Sequence, residues 1–116
     1  MANNFKSAGV SGVGTSLATA STLYTANTNI NSIVIELDIA NTSNSAISAS
    51  VVFEDASANS GSGDTYHIVK NAPLPSGSTL KVVSGQKIVL NGDDSIKVYA
   101  TSTNVDAIIS ILEDVE

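Results

Sequence analysis

The run Ile33-Val34-Ile35-Glu36-Leu37-Asp38-Ile39 alternates with a period of two, and that constrains the fold more than anything else in the chain. Side chains on a strand point to opposite faces in turn, so Ile33, Ile35, Leu37 and Ile39 are expected inward and Val34, Glu36 and Asp38 outward. Asn41-Thr42-Ser43-Asn44 then reads as a turn, because Asn tolerates left-handed backbone and its side chain mimics a turn. The pattern repeats with Ile47, Ala49, Val51 and Phe53 inward and Ser48, Ser50, Val52 and Glu54 outward. Two alternating segments around a short polar turn make a hairpin or meander. No window sustains a helical apolar stripe of useful length.

Further strand patterns occur at 17–25, 65–70, 79–83, 87–90, 95–101 and 105–112, with turn signals about every ten residues. Pro73 and Pro75 bar 71–77 from being a central strand, since each removes a ladder donor. The Ser/Gly-rich run 56–64 reads as an exposed loop. This rhythm predicts an all-β fold, an antiparallel β-sandwich (jelly-roll-like or Ig-like) of about seven to eight strands. Residues 1–14, Gly-rich and weakly apolar over Ser7 to Gly14, read as a flexible N-terminal arm, and 15–116 as a single β-sandwich domain.

Composition excludes several function classes. The net charge is −6, with five Lys and no Arg, the wrong sign for displacing counterions from phosphate. No nucleic-acid partner is expected. Without Cys, neither disulfides nor thiolate metal sites can hold the chain. No stretch approaches the roughly 18 apolar residues of a membrane span, and the start lacks a signal-peptide core, so no membrane partner is expected and synthesis is placed in the cytoplasm. Ser, Thr and Asn supply 39 residues and charged residues only 14%. The 42% hydrophobic fraction argues for a folded chain, and the sparse charge suits a surface partly covered by neighbours.

Catalytic chemistry finds no foothold. His67 is the sole imidazole, and nothing in the sequence sets a nucleophile or carboxylate beside it; a surface or interface histidine is the plainer reading. Ser11 and Ser62 lie between glycines but lack the strand–turn–helix of a nucleophile elbow. Gly9 to Gly14 does not match the spacing of a nucleotide loop, and no phosphate-loop Lys follows it. Asp93 and Asp94 with Asn91, or Asp55 with Asp64, offer oxygens for calcium, yet these are also ordinary turn residues. No catalytic residue, metal ligand or cofactor is assigned.

Lys70-Asn71-Ala72-Pro73-Leu74-Pro75-Ser76-Gly77-Ser78-Thr79-Leu80 resembles the "KNAPIPAGSSL" segment of small virion proteins from tailed bacteriophages, notably those infecting marine cyanobacteria. Ile88-Val89-Leu90 with Gly92-Asp93-Asp94-Ser95-Ile96-Lys97-Val98 is similar to that group's "L-x-x-GD-x-I-x-V" strand. Ile109-Ser110-Ile111-Leu112-Glu113 is similar to its closing "V-S-x-L-E", and Thr22-Leu23-Tyr24-Thr25-Ala26 to its "TTVYTAP", with Asn27 in place of the Pro. The likeness runs from about Leu23 to Glu113. It implies a non-enzymatic virion β-sandwich, present in many copies and transferring no catalytic residues.

These readings set the expectations. The resemblance implies a capsid decoration or cement protein of the virion, made in the host cytoplasm. Neck, tail or baseplate/fibre-attachment component is the alternative, and a calcium- or carbohydrate-binding module a further one, weakened by the absence of Trp. Its partners are the phage major capsid protein, or neck or tail proteins, and further copies of itself. Phe5, Val10, Val13, Val34, Val52 and Ile108 are the candidate interface. Ile33, Ile35, Leu37, Ile39, Ile47, Val51, Phe53, Ile96, Val98, Ile109 and Ile111 are the expected core. Removal of residues 1–14 is expected to spare the sandwich and weaken assembly.

Overall fold

In a computed structural model that describes residues 4–114, the alternating segments become eight strands. They are β1 (Asn4–Ser11), β2 (Ser21–Thr25), β3 (Ser32–Asn41), β4 (Ile47–Asp55), β5 (Asp64–Leu74), β6 (Thr79–Leu90), β7 (Ser95–Ala100) and β8 (Val105–Glu113). They form two four-stranded sheets, ordered β1-β8-β3-β6 and β2-β7-β4-β5. Across both sheets β1 pairs with β8, β2 with β7, β3 with β6 and β4 with β5, all antiparallel. A single long hairpin wrapped around a barrel axis gives this order, with two Greek keys: the chain is an eight-stranded jelly roll.

The core lies between the sheets. Leu37, Ile39, Ala49, Val51, Ile96, Val98, Ile109 and Ile111 are all fully buried there. Expected inward positions Ile33 and Ile35 are different. A β-bulge between Val34 and Glu36 inserts one residue, and a one-residue slip exchanges faces. Val34, opposite Ile111, is therefore buried at 0% exposure, while Ile33 and Ile35 are half-buried on the outer face. Phe53 is also half-buried, its ring 6.2 Å from that of Tyr66.

The N-terminal segment is not the loose arm its glycines suggested. Residues 4–11 pair with β8 in unbroken register from Asn4↔Glu113 to Ser11↔Asp106. Val13 enters the core, and the Gly14 carbonyl accepts from the Ala100 amide at 3.0 Å. The outermost residues of the expected arm, 1–3, lie outside the described residues. Gly14 is required by space: a Cβ there would stand 1.9 Å from the Thr19 carbonyl oxygen. A turn of 3-10 helix, Leu17–Thr19, leads from this bend into β2.

Two strands run further than their patterns implied. Lys81 and Lys87 lie in one strand, β6, because Gly85 takes φ +97° and lets the chain continue through a bulged stretch. Strand β5 continues through Pro73, which is tolerated because β5 is an edge strand. Here Asn71, at φ +53°, receives support from the buried Ser50, whose Oγ accepts from the Asn71 amide at 2.9 Å.

Candidate interaction surface

Along β8, Val105, Ala107, Ile109 and Ile111 point into the core, so Asp106, Ile108, Ser110 and Leu112 point outward. Register then carries this outer face across the sheet. Leu112 lies opposite Phe5 on one side and Ile33 on the other, and Ile33 lies opposite Val89. Phe5, Leu112, Ile33 and Val89 thus form an apolar row spanning all four strands. Phe5 is 77% and Val89 54% exposed. Ile35, turned outward by the bulge, adds to the row and lines a shallow groove of ≈ 360 Å³ with Phe5, Lys6, Ser7 and Ser110. Further along the same face, Ile108 is 58% exposed between Gly9 and Asp38.

Alternation along β3 would place Ile33 and Ile35 in the core, so their part in this row was legible only once the bulge at Ile35 was known. Four of the six expected interface residues fall elsewhere. Val34 and Val13 belong to the core, at 0% and 4% exposure. Val10 is half-buried on the inner side of β1 and packs against that core. Val52 points outward but is covered, since the rings of His67 and Tyr99 reach over β4 from either side. His67 lies opposite Val52 on β5, and Tyr99 opposite Ser50 on β7. Their Nε2 and Oη atoms are hydrogen-bonded at 2.7 Å, with the rings edge to face at 80°. Phe5 and Ile108 stay exposed.

His67 therefore has a phenol, not a carboxylate, as its partner. The acidic turn residues are likewise occupied. Asp94, 1% exposed, accepts from the amides of Ala56 and Asn91 at 3.0 Å each, and so ties two turns together. Asp93 points the other way, accepting from Thr28 Oγ1 at 2.7 Å. Asp55 accepts from the Ser57 amide and hydroxyl, closing the turn that begins the Ser/Gly loop. Among the described residues no group of three His, Asp or Glu side chains comes together to hold a metal ion.

A further polar cluster is buried. The Tyr24 hydroxyl donates to Glu113 Oε2 and lies 3.2 Å from Ser32 Oγ, joining β2, β3 and β8 at one end of the core. Lys6 Nζ of β1 stands 3.7 Å from the same carboxylate oxygen. Burial first, and then the hydrogen bond to Glu113 and its negative charge, push the Tyr24 phenol up to about 12. The cluster uses residue types common in active sites, yet it is closed by its own partners and faces the core.

No family model and no curated protein matches the chain. Among solved structures, a chain of the "Structure of infectious bursal disease virus Gt strain" is similar, with a TM-score of 0.35 and 11% identity, over 96% of this chain and 40% of that one. The chain thus spans less than half the length of that neighbour. A likeness of this size carries no argument about function.

Proposed function

We propose that this protein is a non-enzymatic virion structural protein of a tailed bacteriophage, a capsid decoration or cement protein that stabilises the shell. The observation that carries the reading is the apolar row Phe5-Leu112-Ile33-Val89 on the outer face of the first sheet. A solvated monomer gains nothing from displaying such a row, whereas a contact surface does. The resemblance of residues 70–80, 88–98 and 109–113 to small phage virion proteins supports the same reading, as does a jelly roll, an architecture that recurs in viral capsid domains and also in lectins and cupins. In this role the chain would bind the major capsid protein through the row, with its exposed charges Lys81 and Glu36 fixing orientation.

Quantitative mass spectrometry of purified particles tests it. A decoration protein is expected at copy numbers comparable to the shell protein. A few copies per particle would move the chain to the neck or tail, and its absence from particles would overturn the reading.

A further inference from the structure

We infer that strand β1 is a homodimerisation edge, pairing antiparallel with β1 of a second copy about a two-fold axis at Ser7. The inference goes beyond a place in a particle, because it concerns the free protein in solution.

Each sheet has two edge strands, and three of the four are blunted. Strand β5 carries Pro73, Lys70 and two register breaks. Strand β6 carries Lys81, Lys87, left-handed Gly85 and two register breaks. Strand β2 has five residues and a bulge. These are the devices that keep edges from pairing with other chains. Strand β1 has none of them beyond a single Lys, and its eight-residue ladder on β8 is unbroken.

The direction of its free groups follows from the ladder. The Gly12 amide donates to the Val105 carbonyl at 2.8 Å, in continuation of the β1–β8 register. Antiparallel ladders alternate, so the even-numbered residues of β1 bond to β8. Phe5, Ser7 and Gly9 direct their N–H and C=O groups along the open edge.

With Ser7 on the two-fold axis, Ser7 faces Ser7 of the second copy and Phe5 faces its Gly9. Three such pairs give roughly six backbone hydrogen bonds. The register also resolves the face. Gly9 has no side chain, so Phe5 of the second copy can lie across it toward Ile108, the neighbour of Gly9 on β8. The two most exposed large apolar residues, Phe5 at 77% and Ile108 at 58%, then cover one another. An axis at Lys6 would instead set two Lys side chains face to face. An axis at Ala8 would move Phe5 from Gly9 to Ser11.

The overlap, about seven residues or roughly 24 Å of a single strand, leaves the surface buried well short of the ~800 Å² per partner of a standard interface. The dimer is therefore weak, and sedimentation velocity from about 10 µM to 1 mM is the range in which it forms. The full chain is expected to pass from monomer to dimer across that range. Ser7→Pro removes an amide that faces the open edge and no bond to β8, so it is expected to fold and remain monomeric. Phe5→Lys, at an exposed position, is expected to weaken the dimer at least tenfold with melting temperature unchanged. A monomer throughout, or a dimer unaffected in either folded variant, overturns the inference. So does a dimer lost in Val89→Lys but not in Phe5→Lys, since that assigns the contact to the far side of the face.

Discussion

At the scale of single residues, Tyr24 makes the sharpest statement about stability. Its phenol is raised to about 12 from the ordinary 10, first by burial and then by Glu113. A raised pKa means that the neutral phenol is favoured in the folded state. The stability it contributes is whole below pH 10 and is lost as pH climbs from 10 to 12. Melting temperature measured across pH 9 to 12 should therefore fall more steeply in the natural chain than in Tyr24→Phe. That variant should itself cost about 1–3 kcal/mol at neutral pH, because Glu113 loses a donor in a buried place.

The strand β3 bulge supplies a second residue-scale contrast. Leu37→Ala removes a fully buried side chain and should cost about 2–5 kcal/mol in urea unfolding. Ile35, in an identical-looking place in the alternation, faces outward, and its truncation should cost less than about 1.5 kcal/mol. Periodicity identified Leu37, Ile39, Ile47, Val51, Ile96, Val98, Ile109 and Ile111 as inward, because each lies where ladder and pattern agree. It misplaced Ile33, Ile35 and Val34 because a bulge leaves no mark in a run of β-branched residues. Val52 was legible as outward but not as covered, since His67 and Tyr99 come together only through pairing of β5 and β7 with β4.

At the scale of elements, β1 is where the sequence was least informative. Glycine and serine at 7–14 read as flexible because they offer little to bury, yet eight ladder pairs and the Val13 anchor hold the segment in the sheet. Deleting residues 1–14 should accordingly lower stability by at least about 2 kcal/mol, or roughly 8 °C, by stripping β8 of a neighbour and Val13 from the core. An unchanged melting temperature would restore the arm. Gly14→Ala separates the bend from the strand: its Cβ collides with the Thr19 carbonyl, and calorimetry should show a loss of about 1–3 kcal/mol with β1 intact. The turn after β3, by contrast, was legible residue by residue. Asn41 binds the Ser43 amide through Oδ1 and the Ser45 and Leu74 carbonyls through Nδ2, as turn chemistry requires of a buried Asn.

At the scale of the whole molecule, sandwich and strand count followed from alternation and turn spacing, whereas strand order did not. The jelly-roll order is set by long-range pairings such as β1 with β8, which no local pattern encodes. The same pairings assemble the apolar row from residues far apart in sequence. The most direct measurement is therefore the copy number of Val89→Lys per purified particle, by quantitative mass spectrometry against the natural chain. Val89 is exposed at the far edge from β1, so the substitution should leave melting temperature and β1 pairing unchanged. If the row is the contact surface, incorporation falls at least about tenfold, the equivalent of roughly 1.4 kcal/mol of lost binding. Equal copy numbers for the two chains would contradict it.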